Sequence, residues 1–328
     1  MSNGQTTPPA AHGPTGLPAF VEAMRIPHWL KNAFVLAPVL FAQRYADVAA
    51  WAFALGAALT FGLIGSATYL FNDVCDRRRD AAHPTKRLRP VASGRLSVAA
   101  ALSGAAVLLL AGLVLAVALS LRRSRDEAVG GWGLLLWAGA YLLTNVLYSL
   151  WLKDKVIVDV ILVAMGFVFR AMAGAAAIGV PVSPWLVLCT FTLCLFIALT
   201  KRRGELVELA PHQVALARPA SRSYGPEDLE HMLTVSTAMA ILTYSLYCIA
   251  PRTVAHFGSA HMIWTVPLVV YGMFRYNRVT RAKGQYDPAA VLLSDRITWL
   301  VLLAYVVLTA LIIQFGRMAS LRRLLDMD

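Results

Sequence analysis

Charge is scarce in this chain. Lys, Arg, Asp and Glu make up 15% of its 328 residues, with 18 acidic side chains against 30 basic ones, whereas soluble domains carry about 25%. That scarcity excludes an ordinary water-soluble domain. The hydrophobic share of 58% and a mean hydropathy of +0.62 point instead to an integral membrane protein. Cysteine is also sparse. Cys75, Cys189, Cys194 and Cys248 have no metal-ligand spacing and three of them fall in predicted helices, so neither a zinc site nor a disulfide framework is indicated. The N-terminus, MSNGQTTPPAAHGPTGLPA, lacks a basic region leading into an apolar core and a cleavage site. Residues 1–24 therefore read as a disordered tail and not as a signal peptide.

What the chain does have is apolar runs long enough to cross a ~30 Å hydrocarbon core as helices. They lie near 26–43, 48–71, 98–121, 132–151, 156–178, 183–200, 231–250, 260–276 and 297–315. The expected fold is all-α, a polytopic bundle of nine transmembrane helices over residues 25–316, followed by a short tail, 317–328. Pro38 falls in the first run and Pro267 in the eighth, which membrane helices tolerate. The net charge of +12 does not imply nucleic acid, because the Lys and Arg residues collect in alternate loops. Arg25 and Lys31 with the loops around 77–95, 153–155, 201–222 and 275–296 far outweigh Arg44, Arg122, Arg123, Arg125, Arg252, Arg317, Arg322 and Arg323. By the positive-inside rule this places the N-terminus and the basic loops in the cytoplasm, in a cell (inner) membrane.

One segment concentrates charge of both signs. Tyr69 to Ser97, YLFNDVCDRRRDAAHPTKRLRPVASGRLS, holds three aspartates and seven Lys/Arg directly after an apolar run. Asp73, Asp76 and Asp80 stand at i, i+3 and i+7, one face of a helix continuing past the membrane edge, with Asn72 a turn before Asp76. Three neighbouring carboxylates repel one another. Mg2+, which takes oxygen ligands from one or two carboxylates together with substrate phosphates, would remove that repulsion. Lys86, Arg87 and Arg89 follow closely enough for a folded loop to bring them to the same phosphates. A solvated salt-bridge cluster is the plain alternative, and spacing alone does not choose between the two. Two further clusters strengthen the diphosphate reading: Tyr148, Lys153 and Asp159 in YSLWLKDKVIVD, and Lys201, Arg202 and Glu205 in TKRRGELVE.

NDVCDRRRD followed by KRLRPVASG resembles the first aspartate-rich motif, N-D-x-x-D-x-x-x-D with a downstream R-P-x-x-S-G, of the UbiA superfamily of membrane prenyltransferases. WLKN (Trp29 to Asn32), HPTKRLRP, YSLWLK, GVPVSPW, KRRGEL and DPAAVLLSDR (Asp287 to Arg296) resemble its decaprenyl-phosphate phosphoribosyltransferase branch. The likeness runs over about residues 25–300. It implies a nine-helix fold with a cytoplasmic Mg2+-diphosphate site and, for the branch, transfer of phosphoribose from 5-phosphoribosyl 1-diphosphate to a polyprenyl phosphate lipid. The arabinose donor of a cell envelope would lie downstream. Under this resemblance Asp73 and Asp76 bind Mg2+, with Asp80 directly or through water. Lys86, Arg87, Arg89, Lys153, Lys201 and Arg202 are candidate phosphate binders, and Asn72 and Tyr148 would orient the sugar or the metal shell.

There is also a departure. Where many superfamily members carry a second D-x-x-x-D, this chain reads Lys201-Arg202-Arg203-Gly204-Glu205, which suits a donor with an additional phosphate. A conventional prenyltransferase acting on an aromatic acceptor and a non-catalytic lipid transporter are the rivals. Arg170 stands within a predicted helix, on one stripe with Asp159, Gly166, Ala173, Gly174 and Ala177. Either it lines the substrate cavity or it is paired locally in a small-residue seam. His83 sits in the basic loop without being marked as a base. A homo-oligomer is left open.

Overall fold

The computed structural model describes residues 13–83, 85–126, 131–181, 183–207, 224–284, 286, 291 and 294–315. Among these every regular element is helical. In chain order they are α1 (Leu17–Met24), a 3-10 segment (Ile26–Asn32), α2 (Ala33–Phe41), α3 (Val48–Cys75), α4 (Arg77–Ala81), a 3-10 turn (Lys86–Leu88), α5 (Val98–Asp126) and α6 (Gly133–Leu150). A 3-10 turn (Leu152–Asp154), α7 (Val158–Ala177), α8 (Pro184–Val207), α9 (Pro226–Ile249), α10 (Pro251–Phe257), a 3-10 turn (His261–Thr265), α11 (Val266–Lys283) and α12 (Arg296–Phe315) complete the chain.

Seven helices among the described residues are long and apolar enough to cross a membrane, and α10 with the segment His261–Ala282, bent by 97°, brings the number to eight if that pair is one span. The chain is thus a polytopic membrane protein, but the expected nine spans are not all present as such. The run 26–43 becomes a 3-10 segment and the nine-residue α2, since Pro27 and Pro38 each lack a backbone N–H. The run 260–276 exists only as part of the bent pair. The N-terminal expectation also needs correction. Residues 17–24 form α1, whose Ala19 and Ala23 are fully buried and whose Glu22 accepts two hydrogen bonds from Arg95, at 2.7 and 2.8 Å. Those bonds hold the Glu22 carboxyl below its usual range. Residues 1–12, the loop 208–223, Asp287–Ala290 of the DPAAVLLSDR string and the tail 317–328 lie outside the described residues.

The chain divides into two compact units, residues 1–152 with 169–181 and residues 153–168 with 182–328. In the first, α3 is the central helix, packing on α5, α2 and α6. At 28 residues it is about 42 Å long, more than the ~30 Å hydrocarbon core, so its polar C-terminal turns have length to stand in the headgroup region. Its Phe61 and Ile64 share a core with Val35, Tyr141 and Ala173. Small residues let the backbones approach closely. The Trp29 ring lies over Gly62, and Trp29 Nε1 donates to Ser66 Oγ at 3.0 Å while Ser66 Oγ donates to the Met24 carbonyl at 2.8 Å. A Cβ at Gly174 would come within 2.0 Å of the Val35 carbonyl oxygen.

In the second unit α8 and α9 form the main pair, around Phe196, Leu199, Leu229 and Leu233. Asp295 caps α12, accepting from the Thr298 amide at 3.0 Å and its hydroxyl at 2.6 Å. Asp295 also takes two hydrogen bonds from Arg275, at 3.0 and 2.8 Å. These donors, Arg275 foremost, hold its carboxyl well below the usual carboxylate range.

The close contact at Gly174 yields a direct expectation. Gly174→Ala should lower the thermal midpoint in detergent by several degrees, as overpacking costs about 1–3 kcal/mol. Gly139→Ala, with nothing within 4 Å, should leave it unchanged or slightly raised. Equal midpoints for the two variants would contradict the packing described.

Candidate active site

The aspartate-rich segment does not continue as one helix. α3 ends at Cys75 and Asp76 takes φ −90° and ψ 0°, its amide bonded to the Asn72 carbonyl at 2.8 Å. α4 then restarts, with the Asp80 amide on the Asp76 carbonyl at 2.8 Å. The break keeps the three carboxylates inward: Asp73, Asp76 and Asp80 are 1%, 3% and 3% exposed. Arg77, Arg78 and Arg79, between them, are exposed.

The charge that relieves the carboxylates comes from two arginines. The loop after α4 makes the 3-10 turn Lys86–Leu88, then Pro90, a buried Val91, and a reversal at Gly94, whose φ of 78° favours glycine. This path carries Arg89 back, so that its Nη1 donates to Asp80 Oδ2 at 2.7 Å and to Asp73 Oδ1 at 3.3 Å. Arg25, in the left-handed conformation at the end of α1 (φ 54°), places Nη2 2.5 Å from the same Asp73 Oδ1. Its guanidinium carbon lies 4.9 Å from the centroid of the Tyr69 ring. Sequence reasoning counted Arg25 only as a topology signal; the one local sign was a lone arginine before Ile26-Pro27.

Two oxygens of this group remain without hydrogen-bond partners although buried, Asp73 Oδ2 and Asn72 Oδ1. Asn72 Nδ2 donates to Asp76 Oδ2 at 3.2 Å. No group of three or more His, Cys, Asp or Glu side chains stands in metal-ligating geometry among the described residues. The two orphaned oxygens with the neighbouring Asp76 carboxylate would suit a hard cation only if substrate oxygens completed the shell. The three carboxylates do not form a closed cage, since Arg89 occupies Asp80 Oδ2. Lys86 is half-buried and Arg87 exposed on the adjoining turn. His83 Nδ1 accepts from the Thr85 and Lys86 amides, both at 3.4 Å, a turn-capping role.

Within the second unit a separate polar group forms around Asp159, which is fully buried in the first turn of α7. Arg202 Nε lies 2.6 Å from Asp159 Oδ2, and Arg202 Nη1 donates to Glu205 Oε2 at 2.6 Å. Tyr224 donates to Asp159 Oδ1 at 2.8 Å and accepts from the Ile157 amide at 2.7 Å. Burial, then the Asp159 carboxylate, pushes the phenol well above its ordinary value, so the proton stays on oxygen. Ile157 has φ 68°, a strained conformation for a β-branched residue. Lys153 is buried nearby in sequence, whereas Lys201 is exposed. Arg202, expected to bind phosphate, thus spends its guanidinium on two carboxylates. Tyr224 was not anticipated.

Tyr148 is half-buried on α6. Arg170 resolves toward local pairing: Nε donates to Asn32 Oδ1 at 3.0 Å, Nη2 to the Tyr141 hydroxyl at 2.9 Å, and Asn32 Nδ2 reaches the Ala58 carbonyl at 3.0 Å. The stripe it shares with Ala173, Gly174 and Ala177 is packed core of the first unit, while Asp159 belongs to the second.

The profile of the UbiA prenyltransferase family matches residues 33–303. A protein of Mycobacterium tuberculosis named decaprenyl-phosphate phosphoribosyltransferase is 31% identical, over 96% of this chain and 100% of its own length. A protein of the same name from Corynebacterium glutamicum is 33% identical over 87% of this chain and 84% of its own. Among solved structures, a UbiA homologue from Archaeoglobus fulgidus bound to GPP and Mg2+ superposes with a TM-score of 0.63 at 17% identity, covering 91% of this chain and 98% of that one. With the family profile spanning most of the chain and similarity to these relatives over nearly its whole length, the protein belongs to the UbiA prenyltransferase family.

Proposed function

We propose that this protein is a Mg2+-dependent transferase moving 5-phosphoribose from 5-phosphoribosyl 1-diphosphate to a polyprenyl phosphate, with release of pyrophosphate. One observation carries the choice of donor. The place where a second pair of metal-binding carboxylates would stand reads Lys201 to Glu205, and the acids of this region, Asp159 and Glu205, are already engaged by Arg202. Such a region suits added phosphate better than added metal. Similarity to the named phosphoribosyltransferases supports the same reading. The product would feed a lipid-linked pentose donor.

In this reading Asp73 and Asn72, through their orphaned oxygens, together with the Asp76 carboxylate would hold Mg2+, with Asp80 kept in place by Arg89. When bound, the metal supplies charge stabilisation to the departing pyrophosphate. Arg25 and Arg89 neutralise Asp73 in its absence and donate to the diphosphate oxygens when a donor enters. Lys86, Arg87, Lys153 and Lys201 are further phosphate binders, and Tyr148 orients the sugar. Arg170 and Arg202 act as structural ion-pair and hydrogen-bond partners. No protein base is assigned, because a phosphate monoester has a second pKa of about 6 and reaches the site ionised. The aspartate cluster faces the cytoplasm.

The purified protein should transfer labelled phosphoribose to decaprenyl phosphate with Mg2+ and lose this activity with a chelator. Prenylation of 4-hydroxybenzoate from a polyprenyl diphosphate, without phosphoribosyl transfer, would overturn the assignment. Asp76→Asn and Asp73→Asn should each reduce turnover more than about a hundredfold, since Lewis-acid stabilisation is worth several kcal/mol and ~1.4 kcal/mol is tenfold. His83→Asn should retain most of the rate. Wild-type turnover in Asp76→Asn at an unchanged thermal midpoint would return the cluster to a structural role. With the exposed Cys75 replaced by Ser, Lys86→Cys should react with an impermeant thiol reagent in inverted vesicles and be protected in intact cells; the reverse pattern would reject the orientation.

A further inference from the structure

Arg203 follows Arg202 in sequence but serves a different face of α8. Its guanidinium, from a side chain 8% exposed, lies with Nη1 3.5 Å from Glu230 Oε1 at the start of α9. Nη1 also donates to Asn277 Oδ1 at 2.8 Å, and Nη2 donates to Thr280 Oγ1 at 2.8 Å, both on α11. Two consequences follow from these bonds. Asn277 has its carbonyl oxygen committed to Arg203, so the amide N–H2 is the end it offers elsewhere. Glu230 is engaged at both oxygens, by Arg203 and by Arg281.

Asn277 lines an open cavity of about 500 Å³ together with Phe274, Arg278, Arg281 and Ala282. Every polar side chain in that lining can donate hydrogen bonds and none is a carboxylate. Arg278 makes no ion pair among the described residues. Basic side chains at the end of a membrane helix ordinarily snorkel into water, but snorkelling requires neither a cavity nor an amide oriented by a buried guanidinium. The level in the bilayer is also legible. α11 carries no charge from Val266 to Phe274, and Arg275, Arg278, Arg281 and Lys283 follow. Phe274, 60% exposed, marks the change from apolar to basic. A ligand matching this wall has an anionic head and an apolar body.

We propose that this cavity binds the phosphate headgroup of a membrane lipid. Arg278, Arg281 and the Asn277 amide donate to the phosphate oxygens, and the first methylenes of the lipid lie against Phe274. The site lies within the second unit, shares no residue with the Asp73 group, and does not depend on the phosphoribosyl-transfer reading. A bilayer phospholipid and an isoprenoid phosphate offer the same chemistry.

The test is the thermal midpoint of the full-length protein in neutral detergent, titrated with dioleoyl phosphatidic acid, farnesyl phosphate, phosphatidylcholine or inorganic phosphate. At least one of the two lipid phosphomonoesters should raise the midpoint saturably. Its apparent affinity should fall about tenfold in Arg278→Gln, since hydrogen bonds to charged groups are the strong ones, and should weaken with added salt. Asp76→Asn should retain the response. A response to phosphatidic acid identifies a phospholipid site, and one to farnesyl phosphate alone identifies the headgroup of an isoprenoid lipid. The proposal is overturned by no response, by an equal response in Arg278→Gln, by phosphatidylcholine or inorganic phosphate matching the lipid phosphates, or by loss of the response in Asp76→Asn.

Discussion

The constraint on which the rest depends is that a carboxylate buried at the end of a membrane helix needs a cation beside it. Asp73 is 1% exposed and its Oδ1 receives both Arg25 and Arg89. Removing one member of a buried pair typically costs about 3–5 kcal/mol, so this oxygen ties together the end of α1, the end of α3 and the loop that follows α4. The placement of α1 against Leu70 and Val91 is the apolar side of the same arrangement. Without Arg25 at the Asp73 carboxylate, α1 would have fewer grounds to be ordered at all.

The second unit obeys the same constraint with other residues. Asp159 gathers Arg202 from the end of α8 and Tyr224 from just before α9, and Tyr224 in turn holds the strained Ile157. Adjacent arginines diverge: Arg202 neutralises Asp159, while Arg203 braces α11 through Asn277 and Thr280. A run of like charges in sequence is thereby divided into two jobs by helix geometry, as side chains one residue apart leave the axis about 100° apart.

Close packing supplies the rest. Gly62 beneath Trp29, Gly174 beneath the Val35 carbonyl and Gly204 beneath the Tyr286 ring each let a backbone or ring come nearer than a Cβ would allow. In lipid, where hydrophobic burial between helices contributes little, such contacts carry much of the association. Arg170 is hydrogen-bonded to Asn32 and Tyr141, which is how an arginine is kept within a helix bundle.

The class of protein, the helices with long apolar runs, and the choice of Asp73, Asp76 and Asp80 as candidate site residues were legible in the residues alone. These are local properties: twenty apolar residues in a row can satisfy their backbone only as a helix in lipid, and Asp73, Asp76 and Asp80 stand in one short run, although the helix breaks at Asp76 and it is the fold that turns all three carboxylates inward. Tertiary structure decided which cation meets which carboxylate. Arg25 is 48 residues from Asp73 and Tyr224 is 65 from Asp159, and no periodicity reports a partner at that distance. It decided too that 17–24 is a helix and that 26–43 is not a single span, because a short amphipathic segment is stable only against the surface that buries it. Arg89 could be read as a phosphate ligand from its position, but its bridge between Asp73 and Asp80 exists only once the turn at Gly94 has brought the loop back.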